Sequence, residues 1–232
     1  MGARNLLALV ALVGAGALAC SQVVGLEDRT LDPTFGAGGG GADAGADAQA
    51  ESGGDAAIAL DCPTYCDAVG SGCDATDKQY ETGKVCLDVC ARIPVGTADN
   101  PTGNTLACRI DAAVKALNTG EPSLTCASAG PAGGSPTPDG GAACGTNCDA
   151  FCLLVQKVCP AQFGEQWLDN RDACLAECAT FPDKGSYTTA IKSGNSVQCR
   201  VYHANAATQD SVMHCPHTIG LAGTAPKPPC TD

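Results

Sequence analysis

The residues best suited to chemistry in this chain are its histidines. The stretch CRVYHANAATQDSVMHCPH, residues 199–217, contains His203, His214 and His217, every imidazole among 232 residues. Three imidazoles with one open coordination position suit Zn2+ or Cu2+, and a haem iron could use one of them with Tyr202 nearby. His203 lies four residues after Cys199, one turn along the same helix face. A Cys199–Cys215 bridge would bring those Cα atoms to about 5–6 Å and let all three rings converge on one ion. A Cys215–Cys230 bridge would force no such convergence. The plainer alternative is three exposed histidines in a polar loop.

The elements that must position these rings are announced by cysteines. Seventeen are present, and from Cys62 onward they form two sets of eight. The first runs C-x3-C-x6-C-x12-C-x3-C-x17-C-x17-C-x17-C, and the second C-x3-C-x6-C-x14-C-x3-C-x20-C-x15-C-x14-C; each spans 83 residues. Other residues keep the register: Tyr65 with Phe151, Cys90-Ala-Arg-Ile-Pro94 with Cys178-Ala-Thr-Phe-Pro182, and Gly103-Asn-Thr-Leu-Ala-Cys-Arg109 with Gly194-Asn-Ser-Val-Gln-Cys-Arg200. The chain therefore carries a tandem duplication. In that register His203 faces Ala112, His214 faces Thr125 and His217 faces Ser128. The fold type does not need the imidazoles, because one copy lacks them all.

Cysteines at i, i+4 and i+11 share one face of a helix, which places Cys62, Cys66 and Cys73 together, and likewise Cys148, Cys152 and Cys159. Asn104 and Asn195 read as N-caps of a later helix in each copy, and Pro94 and Pro182 as stops for the preceding one. Each module is expected to hold about three short helices and a Gly/Pro-rich tail. No stretch shows strand alternation, so the fold class is mainly α: two tandem disulfide-stapled helical modules after a disordered tether. Arg109 and Arg200 read as structural partners for a carboxylate or for helix carbonyls. With aromatics at only 4%, each core is small, and bridges of about 2–4 kcal/mol each can dominate its stability. The C-x2-C pairs of zinc sites do not occur, which favours bridging over metal ligation by sulfur.

The doubled C-x3-C motifs resemble the twin-CX3C helical hairpin of small intermembrane-space chaperones. That resemblance implies Cys62–Cys90 with Cys66–Cys86, and Cys148–Cys178 with Cys152–Cys174. The other four cysteines of each module can pair in three ways, which sequence leaves open. The pattern C-R-x-Y-H-A…H-C-x-H also resembles a Cys/His repeat of secreted bacterial proteins, without implying an activity.

Upstream, Leu6–Leu18 is an apolar run too short to span a bilayer and follows Arg4, as a signal peptide does. The sequence GALAC with Ser21 resembles a bacterial lipoprotein signal, and VVGLEDRTLD resembles the start of myxobacterial lipoproteins. These likenesses imply cleavage after residue 19, lipidation of Cys20 and an outer-membrane address, simple secretion being the alternative. Sixteen remaining cysteines make an even number for bridging, which leaves Cys20 as the odd one. Residues 20–60 then form the lipidated start and an acidic Gly/Ala tether, with too little apolar bulk for a core. The modules are assigned to 61–145 and 146–232.

Much chemistry is absent. The chain has no C-x-x-C-H, H-E-x-x-H, P-loop or G-x-S-x-G motif. With 25 acidic against 13 basic residues and a net charge of −12, it is expected to avoid nucleic acid. The runs in ADAGADA lack EF-hand spacing and read as solvated charge. Two functions stay in view. One is a lipid-anchored, extracytoplasmic protein with a structural or binding role and no catalysis. The other is a metal- or haem-binding protein, with redox chemistry within its reach, using the three histidines.

Overall fold

A computed structural model of the chain describes residues 58–119, 122–134, 144–220 and 229–231. The signal segment, Cys20 and the tether to residue 57 lie outside the described residues, as do most of the two Gly/Pro-rich tails. The described part is helical and has no strand, and Thr97 and Asn100 form an isolated bridge. In the first half run α1 (Cys62–Gly72), α2 (Gly83–Cys90), α3 (Leu106–Thr119) and α4 (Pro122–Ala129). The second half holds α5 (Asn147–Val158), α6 (Pro160–Trp167), α7 (Arg171–Cys178), α8 (Val197–Ala206) and α9 (Ser211–Thr218).

Local chemistry sets the starts of these helices. Asp61 accepts the Thr64 amide at 2.8 Å ahead of α1, whose first turn contains Pro63. Thr146 and Asp149 form a reciprocal capping box at α5, with 3.0 and 3.1 Å contacts. The expected Asn104 and Asn195 caps are displaced by one residue. Ser196 caps α8 through the Cys199 amide, and Thr105 takes the Cys108 amide at the start of α3. Asn195 instead accepts from Arg200, and Asn104 donates to the Asp149 carbonyl. A hydroxyl one residue later reaches the third amide of these helices, and the asparagines are released for tertiary bonds.

Each half also carries more helix than expected. α4 and α9 are helices beyond the roughly three expected in each module, and α6 stands where the first half has only the 3-10 turn Ala75–Asp77. Phe163 and Trp167, one turn apart on α6, fill the second core beside Phe151.

Eight disulfides staple the helices, and the connectivity repeats. Cys62–Cys90, Cys66–Cys86, Cys73–Cys126 and Cys108–Cys144 correspond in order to Cys148–Cys178, Cys152–Cys174, Cys159–Cys215 and Cys199–Cys230. The first and second pairs clamp a helical hairpin. The third ties the end of its first helix to α4 or α9, and the fourth ties α3 or α8 to the residues beyond the tail. Backbone bonds repeat too: the carbonyls of Pro94 and Pro182 accept the first amides of α3 and α8, Leu106 and Val197. Gly103 and Gly194, at φ +68° and +83°, turn the chain into those helices.

Two apolar cores result. Tyr65, Val69, Val89, Ile110 and Ala113 centre the first, and Phe151, Val155, Phe163, Val197 and Val201 the second. Leu154 and Ala204 of the second half pack into the first core, so the halves share an interface. Arg109 is fully buried and meets no carboxylate among the described residues; it donates to the carbonyls of Gly130, Thr105 and Pro131. Arg200 donates to the Ser196 carbonyl and stacks on Phe181 with its guanidinium carbon 3.7 Å from the ring centre.

Candidate metal centre

α8 and α9 pack side by side, and the three histidines meet between them. His203 projects from α8 one turn after Cys199. His214 and His217, three residues apart, share a face of α9. That short helix is fixed at both ends of its first turn and middle: Asp210 caps it through the Met213 amide at 3.1 Å, and the Cys159–Cys215 bridge pins it to the end of α5. Pro216 sits inside it without breaking it.

The Cys199–Cys215 bridge that would have gathered the rings does not form, since Cys199 pairs with Cys230 and Cys215 with Cys159. The rings converge nevertheless. One nitrogen from each of His203, His214 and His217 lies within 4.8 Å of the others. The His203 and His217 ring centres are 4.8 Å apart, and those of His203 and His214 5.2 Å. The other arrangement of potential ligands, Cys199 and Cys230 beside His203, offers no thiolate because the two sulfurs are bonded to each other. All sixteen cysteines of the modules are likewise bridged, so sulfur ligation plays no part.

Hydrogen bonding decides which lone pairs face inward. His203 Nε2 lies 3.2 Å from the Lys192 carbonyl oxygen, which only accepts, so Nε2 carries the proton. Nδ1 then accepts from His214 Nδ1 at 3.0 Å, so His214 must move its proton to Nε2 before both Nδ1 atoms can hold one ion. A ring held by a backbone carbonyl through one nitrogen, with a lone pair on the other, is the usual environment of a metal-binding histidine. Burial, with help from His217 and His214, pushes His203 down to about 4 against the Lys192 carbonyl. Burial and His217 lower His214 as well, opposed by Asp210. Both imidazoles are therefore neutral near pH 7, the form that donates a lone pair.

In tetrahedral coordination with bonds of about 2.0–2.1 Å, neighbouring nitrogens stand about 3.3 Å apart. The 3.0 Å separation of His203 and His214 is close to that edge, and separations of up to 4.8 Å within the set must close by up to about 1.5 Å to reach it. In the first half the same positions hold Ala112, Thr125 and Ser128, with Ala112 and Ser128 buried. The scaffold is retained there and the imidazoles are missing.

The comparison with known families falls on that other half. Residues 58–147 match the model of the BfoA family C-terminal domain. The match covers well under half the chain, and includes α1 to α4 with the four bridges of the first module. The residues matched to the BfoA domain contain no histidine, so the likeness describes the scaffold and is silent on the cluster. No curated protein and no solved structure matches the chain.

Sequence reasoning identified the three histidines but missed their supports. The Asp210 cap was detectable, since Asp stands three residues before Met213. The Lys192 carbonyl is backbone, and no side-chain pattern announces it.

Proposed function

We propose that the protein is an extracytoplasmic, non-catalytic metal-binding protein whose second module holds one transition-metal ion through His203, His214 and His217. The observation that carries this reading is the approach of three ring nitrogens within 4.8 Å of one another. Imidazole sets of this kind suit Zn2+ and Cu2+, with a fourth position left for water or another ligand. A haem iron is a poorer fit, because its axial positions lie on opposite faces of the macrocycle while these rings crowd one point. Eight disulfides accord with an oxidising compartment outside the cytoplasm, and no described helix is long and apolar enough to cross a membrane.

Calorimetric titration of the oxidised full chain with Zn2+ and with Cu2+ tests the reading. One ion per chain is expected, with heats abolished in the variant carrying His203→Ala, His214→Ala and His217→Ala. Equal binding by that variant, or none by the parent, would refute it.

The second part of the reading concerns the N-terminus. The eight bridges use every cysteine from Cys62 onward, leaving Cys20 as the odd thiol, in the place where a lipoprotein signal presents its acylated residue. On this basis the chain is an outer-membrane lipoprotein that displays its modules on an acidic tether and does not bind nucleic acid. The intact mass of the cell-derived protein should show a diacylglyceryl adduct that Cys20→Ser removes; identical unlipidated masses would mean simple secretion.

A further inference from the structure

The two halves enclose a cavity of about 200 Å3 beside the histidines. The rings of Tyr80, Tyr187 and Tyr202 form much of its wall, with Asn205 and the carboxylates of Glu81 and Asp210 as polar groups. His214 belongs to the wall as well, and no lysine or arginine does. Asn205 is 3% exposed and donates through Nδ2 to the Tyr187 hydroxyl at 3.2 Å. Its Oδ1 is a buried acceptor without a hydrogen-bond partner, a state that costs about 1–3 kcal/mol unless a donor arrives. The two carboxylates are only half engaged. Glu81 uses Oε1 for Lys192 and the Tyr202 hydroxyl, and Asp210 uses Oδ1 for the Met213 amide.

Carboxylate and amide acceptors thus share a chamber with aromatic faces and the neutral Thr189 and Gln209 side chains, in a chain of net charge −12. Tyrosine rings attract cations through their negative faces, and this protein already uses the effect: Lys192 Nζ sits 5.2 Å from the centre of the Tyr202 ring. Anions would meet the Asp210 carboxylate with no lysine or arginine in the wall, the Glu81 carboxylate being paired with Lys192 behind it. We propose that this cavity is a binding site for a small organic amine in its cationic form. Its N–H groups would bond Asn205 Oδ1 and the free carboxylate oxygens, and its apolar body would lie among the tyrosines. The site does not depend on a bound metal, so the two readings stand or fall separately.

Benzylamine is a suitable probe, with benzyl alcohol and benzoate as neutral and anionic counterparts of the same shape. The full oxidised chain, kept in EDTA so that no metal contributes, is titrated while its amide resonances are followed by NMR. Saturable shifts at Tyr187, Asn205 and Ala206 are expected with benzylamine, and much weaker ones with the other two. Asp210→Asn keeps the helix cap but removes the charge, and should weaken benzylamine binding about tenfold. Ala206→Leu, which fills the cavity from the end of α8, should abolish it. Absence of saturation, equal binding of benzyl alcohol or benzoate, or retained binding in Ala206→Leu would overturn the proposal. Amide spectra of the free variants show whether each has folded.

Discussion

At the scale of single residues, the chain separates groups that build from groups that bind. Arg109 belongs to the first kind. Among the described residues its buried positive charge is met by carbonyls, and its removal takes the donor from Pro131 and leaves Gly130 with the Gly133 amide alone. Arg109→Met should lower unfolding free energy by about 2–4 kcal/mol in urea denaturation, with no effect on metal stoichiometry. On the proposed function, the histidines belong to the second kind. Replacing any one of the three by alanine should weaken Zn2+ binding by more than about tenfold, since each supplies one of three ligands, while leaving the thermal transition of the metal-free protein within a few degrees. The identity of these residues was legible because all three lie in one short window and the repeat-equivalent positions hold none of them. Their convergence was not legible, because it depends on a bridge between Cys159 and Cys215 whose partners stand 56 residues apart.

At the scale of elements, capping and clamping divide the work. Ser196 starts the helix that carries His203, and Ser196→Ala should cost about 1 kcal/mol, measurable as a lower urea midpoint. The junction between halves has its own acid sensitivity. Lys192 holds the Glu81 carboxyl below its usual range, aided by Tyr202 and Lys78. A depressed folded value means that the unfolded chain takes up protons first as pH falls. The contribution is therefore complete above about 4.5 and disappears as pH drops through the lower folded value. Glu81→Gln should flatten that acid limb of the stability profile, as read by thermal melts between pH 3 and 6, about the range in which carboxylates titrate. The helices bearing C-x3-C were readable because cysteine spacing of four betrays one face. α4 and α9 were not, since each is eight residues long, and α9 holds a proline that argues locally against helix. Tertiary packing and the third bridge of each module hold them where propensity alone would not.

At the scale of the whole molecule, one bridge pattern serves two modules with different endowments. The module matched to the BfoA domain builds the frame without histidines, and the other places imidazoles on the same frame. Cutting the frame should therefore be more harmful to the site than to the fold. The double variant Cys159→Ser, Cys215→Ser should lose about 2–4 kcal/mol of stability and also lose metal binding, because α9 is no longer pinned to α5. The bridges of the first half should remain intact by peptide mass mapping. The central claim is that His203, His214 and His217 act together on one ion. Pulsed electron paramagnetic resonance of the chain loaded with one equivalent of Cu2+ addresses it most directly. The account predicts imidazole nitrogen couplings from three rings, falling to two in His217→Ala. A spectrum with one coupled imidazole or none, unchanged by that substitution, would contradict it.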